Sequence, residues 1–199
     1  MSSTTTQSVT TTLPTTTLPT TTIPSASSPC GIAFDTNNNA YVSYPLLNSV
    51  YRNKVPYITT GLNTPMALCY LNGILYVADW GSLQVIGYNN NGVKTTATTI
   101  PSNPYGLCSI GNTLYISAST NIYALNVTGT TITQSLVANQ CNFLGMCTDN
   151  MNIYICEANT KSIIKYKPAG TTASFTLPTL MSGYAGINLT TTTSAHPAS

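Results

Sequence analysis

Charge is what this sequence most lacks. Of its 199 residues, six are Lys or Arg and four are Asp or Glu, 5% of the chain, against roughly 25% in an ordinary globular protein. The basic residues Arg52, Lys54, Lys94, Lys161, Lys165 and Lys167 are scattered, apart from a loose trio at 161–167, and the formal net charge is only +2. A nucleic-acid partner needs a dense basic face, so that class is excluded. A helix bundle laced with ion pairs is excluded for the same reason. Histidine is nearly missing too. His196 is the sole one and lies in a Thr-rich end, so no Ser-His-Asp or Cys-His arrangement is expected in the fold. No run of about 18 apolar residues occurs, so no membrane-spanning helix is expected. The opening residues Met1-Ser2-Ser3-Thr4 have neither the basic nor the apolar region of a secretory signal.

What the chain has instead is threonine at 36 positions, 13 Tyr, 12 Pro and an apolar fraction of 42%. This is the composition of strands and turns. Residues 1–28 form a low-complexity arm without a charged or aromatic residue. Positions 10–24 repeat Thr-Thr-Thr-Leu-Pro three times, with Ile23 as the last Leu. Each proline forbids helix and drives the preceding residue to extended geometry. Two readings of the arm stand. It is an O-glycosylated stalk, with Thr15, Thr16, Thr17, Thr20, Thr21 and Thr22 as acceptors. Or it is an ordered assembly arm, with Leu13, Leu18 and Ile23 filling pockets every five residues. Residues 190–199 repeat the Thr-rich composition, leaving 29–189 as the folded unit.

That unit carries an internal repeat. An anchor of turn plus short apolar strand recurs as Pro29-Cys-Gly-Ile-Ala, Pro65-Met-Ala-Leu-Cys, Pro104-Tyr-Gly-Leu-Cys, Phe143-Leu-Gly-Met-Cys and Tyr184-Ala-Gly-Ile-Asn. Its small third residue falls at 31, 67, 106, 145 and 186. A second strand follows the first four anchors and places a tyrosine at 41, 76, 115 and 154. A third and a less regular fourth strand complete each unit. Four short strands in about 39 residues predict an all-β fold, a β-propeller of four complete four-stranded blades. The chain then has extra terminal strands. The fifth anchor supplies an inner strand near 186–191. Residues 21–29 match 98–104, the end of a fourth strand, and so read as an outer strand without a blade. They could close a ring within one molecule or pair with a neighbouring copy.

The runs Gly31-Ile-Ala-Phe-Asp35 with Ala40-Tyr-Val42, and Leu75-Tyr-Val-Ala-Asp79 with Val85-Ile-Gly-Tyr88, resemble NHL repeats and related six-bladed propellers, over about 29–180. The resemblance implies a propeller. NHL blades usually pair an Asp with an Arg in the second and third strands. Here only the second repeat keeps the Asp, as Asp79, and no Arg follows it. The basic top face of RNA-binding NHL domains is missing as well. Lactonase-like propellers with convergent acids hold calcium, but the four acids here are dispersed.

Asp35 and Asp149 occupy nearly the same place after the first strand, which predicts turn capping. Cys69, Cys108 and Cys147 share one inner-strand position. They read as small buried residues, with a three-thiolate metal site as the alternative. Cys147 and Cys156 sit on adjacent strands and are candidates for a disulfide. Asn126-Val-Thr128 and Asn188-Leu-Thr190 are N-glycosylation sequons. Trp80 and the repeat tyrosines read as packing residues, with a sugar platform as the alternative.

No catalytic, cofactor-binding or metal residue is therefore assigned, and no cofactor is expected. The expected function is a non-enzymatic structural protein, extracellular or on a cell or virion surface. It would assemble with itself into a filament through the N-terminal arm and carry covalent glycans. The alternative is a propeller that binds a glycan or peptide, displayed on the stalk.

Overall fold

The computed structural model describes residues 27–119, 121–128, 132–135, 143–159, 161–168 and 173–175. They form four antiparallel sheets of four strands each, in chain order. Sheet 1 contains β1 (Ile32–Phe34), β2 (Ala40–Tyr44), β3 (Ser49–Arg52) and β4 (Val55–Ile58). Sheet 2 contains β5 (Pro65–Leu71), β6 (Ile74–Asp79), β7 (Gln84–Tyr88) and β8 (Lys94–Thr99). Sheet 3 contains β9 (Pro104–Ile110), β10 (Thr113–Ala118), β11 (Asn121–Asn126) and β12 (Ile132–Ser135). Sheet 4 contains β13 (Phe143–Thr148), β14 (Ile153–Glu157), β15 (Ser162–Tyr166) and β16 (Ala173–Phe175). The first strands neighbour one another in sequence, β1 beside β5, β5 beside β9 and β9 beside β13. The all-β, propeller-like expectation agrees with this arrangement. The assembly arm, the Thr-rich tail, the fifth inner strand and His196 lie outside the described residues.

Local chemistry sets the hairpins. Asn72 and Gly73 join β5 to β6 with φ of 51° and 79°, the two-residue turn with both φ positive that Asn-Gly favours. The second strands of sheets 2 and 3 are buried on both sides because each of these sheets packs between two others. Every residue of β6 from Leu75 to Asp79 is buried, so the strand reads as an apolar run, Leu75 to Ala78, rather than an alternating one.

Three seams hold the sheets together, and each repeats one scheme. Ala33, Tyr41 and Val50 of sheet 1 pack on Leu68, Leu75, Val77 and Ile86 of sheet 2. Cys69, Tyr76 and Val85 of sheet 2 pack on Leu107, Leu114, Ile116 and Tyr123 of sheet 3. Cys108, Tyr115 and Ile122 of sheet 3 pack on Met146, Ile153, Ile155 and Ile164 of sheet 4. Each sheet thus has a tyrosine side and an aliphatic side. The small third residue of the anchor exists because first strands converge. A Cβ on Gly31 would lie 2.4 Å from the carbonyl oxygen of Met66.

A one-residue bulge recurs in the first strands. In sheet 2, Pro65 faces Asp79 but Leu68 faces Val77. In sheet 3, Pro104 faces Ala118 but Gly106 faces Ser117. In sheet 4, Phe143 faces Glu157 but Met146 faces Ile155. Such a bulge bends the strand. A buried serine secures the same place in sheets 1 and 3. The Oγ of Ser43 accepts from Gly31 N–H at 2.8 Å and donates to the Met66 carbonyl of the next sheet. The Oγ of Ser117 accepts from Gly106 N–H at 2.8 Å.

Candidate functional site: the loop face around Trp80

Antiparallel order places the links between second and third strands at the same end as the links from one sheet to the next. Residues 45–48, 59–64, 80–83 and 100–103 therefore share one face, and none of them is charged. Pro45–Leu47 and Trp80–Ser82 are 3-10 turns, each closed by a left-handed residue, Asn48 and Leu83. Hydrogen bonds run across this face from sheet to sheet. Asn48 Oδ1 accepts from Thr64 N–H at 2.8 Å. The Thr64 carbonyl accepts from Trp80 N–H at 3.2 Å. The Trp80 carbonyl accepts from Asn103 Nδ2 at 2.9 Å. Gly81 has no side chain because Asn63 fills the space; a Cβ there would lie 2.5 Å from the Asn63 amide.

Asp79 anchors the turn from below. It is fully buried. Its Oδ1 accepts from Asn63 N–H at 2.7 Å and its Oδ2 accepts from the Ser82 hydroxyl. Burial pushes its carboxyl above the usual range, against the lowering effect of those hydrogen bonds and of Lys94. Next to it in the chain, Trp80 is 40% exposed, with Leu46 and Leu83 also open to solvent. The packing role expected of Trp80 is therefore only partly fulfilled. These loops offer a partly exposed aromatic side chain with a rim of Asn and Thr and no charged residue, which suits an uncharged ligand; Lys161, in the link between β14 and β15, is the charged residue described at this end of the sheets.

The opposite face is built differently. Asp35 Oδ1 accepts from Asn37 and Asn39 N–H, and its Oδ2 accepts from Asn39 Nδ2 and the Tyr41 hydroxyl. Asp149 repeats this with Met151, Asn152 and Tyr154. The Asn152 amide and its companions hold the Asp149 carboxyl well below the usual range. Both acids cap turns, as their spacing predicts. Burial, with Tyr57 and the Asp35 bond adding to it, pushes the Tyr41 phenol up to about 12. The Tyr41 ring meets Tyr57 edge-on at 5.2 Å and stacks on Tyr70 at 6.0 Å, while Arg52 sits over Tyr57.

The remaining candidates separate. Cys147 faces Tyr154 and Cys156 faces Ile163. The two cysteines are diagonal rather than opposite, and both are thiols, so the expected disulfide is corrected. Cys69 and Cys108 are buried. Burial, with Cys69 and Cys147 nearby, raises the Cys108 thiol well above its ordinary value. Among the described residues, no group of three His, Cys, Asp or Glu is placed to hold a metal ion. Asn126 is exposed, and its Oδ1 accepts from the backbone N–H and the hydroxyl of Thr128 at 3.0 and 2.7 Å. Asn188, Leu13, Leu18, Ile23 and the threonines at 15–17 and 20–22 lie outside the described residues. Sequence reasoning missed the serine ties at 43 and 117, whose only signal was a Ser two residues after the repeat tyrosine. It missed the Trp80 face because no single repeat displays it.

No protein-family model matches the sequence, and no curated protein is similar to it. Solved structures share the fold. Virginiamycin B lyase from Staphylococcus aureus superposes with a TM-score of 0.63 at 17% identity, over 76% of this chain and 56% of that one. A catalytically inactive form of that lyase, with a histidine changed to alanine, has been solved with quinupristin. The extracellular domain of the putative one-component system BT4673 from B. thetaiotaomicron gives 0.61 at 16% identity, over 81% of this chain and 23% of that one. Glutaminyl cyclase from Myxococcus xanthus gives 0.56 at 16% identity, over 71% and 66%. The chain thus spans a little over half the length of the lyase. Two expectations are corrected here. A filament subunit finds no support among these enzymes and sensor domains, and a fold that carries lyases and a cyclase does not permit catalysis to be excluded. Among the described residues no helix is long and apolar enough to cross a membrane.

Proposed function

We propose that each sheet is one blade of an NHL-like propeller and that the loop face around Trp80 holds a neutral small molecule with a flat apolar side, such as a sugar ring or a cyclic peptide. The observation that carries this reading is the half-exposed Trp80, held through its backbone by Thr64 ahead of its own sheet and by Asn103 in the link to the next, among loops 45–48, 59–64, 80–83 and 100–103 that hold no charged residue. The neighbours support it, since they include a lyase solved with quinupristin and the extracellular part of a sensor. Extracellular placement belongs to the same reading. Protease digestion of intact cells tests it, and protection until lysis would count against it.

Trp80 is the one tryptophan in the chain, so its fluorescence reports on this face alone. Titration with neutral oligosaccharides and cyclic peptides should shift its emission, and calorimetry should show the binding lost in Trp80→Ala. Binding that survives Trp80→Ala, or no binding across both classes, would overturn the reading. The same mixtures, followed by mass spectrometry, show whether the bound molecule is cleaved, with His196→Ala as the comparison.

A further inference from the structure

Sheets 1 and 2 meet along β1, β2 and β5 and part toward their outer strands, where an open cleft of about 360 Å³ lies between them. Its walls are Tyr57 of β4, Thr59, Thr60 and Gly61 just beyond it, and Tyr88 and Lys94 of sheet 2. Trp80 is not among them, so the cleft is separate from the tryptophan surface. Register sets Tyr88 opposite Lys94, and a bulge beside Gly87 leaves Thr95 unpaired. The Thr95 hydroxyl donates to the Gly87 carbonyl at 3.1 Å. An even ladder would put Thr95 opposite Tyr88, so the bulge is what brings the lysine there.

Tyr88 belongs to the first seam, in one cluster with Ile58 and Leu62, and is only 3% exposed. Its hydroxyl bonds to no described residue. Among the described residues, the fully enclosed side-chain oxygen without a partner is that of Ser49, so the Tyr88 hydroxyl reaches open space through the cleft that Tyr88 lines. Burial, with the Asp79 charge adding to it, pushes this phenol up to about 12, so it keeps its proton and can donate. Lys94 beside it is exposed. Asp79 is the described acid that senses the lysine's charge, but the Asp79 oxygens are already held by Asn63 and Ser82. On the opposite wall, Thr59, Thr60 and Gly61 make no hydrogen bond to a described residue, and a Cβ on Gly61 would meet nothing within 4 Å. Tyr57 is committed, since its hydroxyl donates to the Asn89 carbonyl and accepts from Gly92 N–H.

We propose that this cleft binds a small hydroxylated carboxylate, such as a sugar acid. The carboxylate meets the Lys94 ammonium and the Tyr88 hydroxyl, two donors on one wall, and hydrogen bonds to an ionised acceptor are the strong kind. The ligand's own hydroxyls meet Thr59 and Thr60 across the cleft. An apolar ligand would leave the Tyr88 hydroxyl unanswered, and a cation would face Lys94. Arg52, over the Tyr57 ring, adds a second positive charge behind that ring.

Calorimetric titration of the 199-residue chain with glucuronate tests this. Glucose lacks the charge and sulfate lacks the hydroxylated body. Glucuronate should bind, glucose at least roughly tenfold more weakly, and equimolar sulfate should not displace glucuronate. Lys94→Gln and Tyr88→Phe should each weaken glucuronate roughly tenfold or more, the scale of a hydrogen bond to a charged group. Trp80→Ala should leave it unchanged, so failure of the Trp80 reading and failure of this one are distinguishable. Circular dichroism checks that each variant is folded, and Thr60→Val replaces Tyr88→Phe should that one unfold, with a several-fold loss expected. Absence of glucuronate binding would overturn the proposal. So would binding indifferent to Lys94→Gln, or displacement by sulfate on equal terms, which marks a lone lysine. Loss of binding in Trp80→Ala would move the ligand to the loop face. If binding appears only after residues 1–26 are removed, the chain itself fills the cleft and the proposal also fails.

Discussion

The two ends of the sheets use the same residue types for different purposes. On the hairpin face, asparagines sit where the backbone needs positive φ, as at Asn38, Asn53, Asn72 and Asn150. Their amides serve Asp35, Asp149 and one another; Asn53 Nδ2 donates to Asn39 Oδ1 at 2.7 Å, and Asn72 Nδ2 to Asn112 Oδ1 at 3.1 Å. On the loop face, Asn48 accepts from the Thr64 N–H and Asn103 donates to the Trp80 carbonyl, so both bear on the turn that carries Trp80. Both faces use asparagine across a sheet boundary, Asn72 to Asn112 on one and Asn48 and Asn103 on the other, but only the loop-face pair flanks an exposed tryptophan.

The contrast can be tested by breaking each part. The largest loss is expected at the axis, which both faces depend on. Gly31→Val sets a branched side chain against the Met66 carbonyl and should cost about 3 kcal/mol in urea unfolding. Next comes the support of the loop face. Asp79→Ala strands the Asn63 N–H and the Ser82 hydroxyl, for about 2 kcal/mol by the same measurement.

Acid titration then separates the two kinds of carboxylate. Asp149 is held below its ordinary value. Its contribution is therefore present above an unfolded value near 4 and lost as pH falls through its folded value. Asp79 is raised, so the fold binds its proton more tightly than the unfolded chain. Stability from that group is lost as pH rises from its ordinary value through its raised one. Asp149→Asn should flatten the acid limb of a stability–pH curve, and Asp79→Asn the limb above it. If the two variants altered the same limb, the distinction would be wrong. The smallest effect belongs to Leu46, which is 74% exposed. Leu46→Ser should change stability by less than about 0.5 kcal/mol.

The repeat was legible because each unit solves one packing problem. A small residue where first strands converge, a tyrosine on the second strand and an Asn-Gly turn are local needs, and each leaves a residue behind. Asp35 and Asp149 were legible for the same reason, since capping a turn takes an acid at a fixed offset. The loop face was not. Trp80 is held by Thr64 and Asn103, 16 residues before and 23 after it, the first at the entry to its own sheet and the second in the link to the next. The Cys147 and Cys156 pairing failed on register. Adjacent strands bring two residues together only when they are opposite, and these two are offset along the ladder.

The seam scheme bears on how the chain folds. Strong contacts run within a sheet or between consecutive sheets, so most native pairings join residues fewer than about two repeats apart. Such a chain can grow outward from one formed pair of sheets without waiting for distant ends to meet. Sheets 2 and 3 each have two seams among the described residues, whereas sheets 1 and 4 have one. The outer sheets should open first and the middle pair last, with amide exchange slowest along β6 and β10.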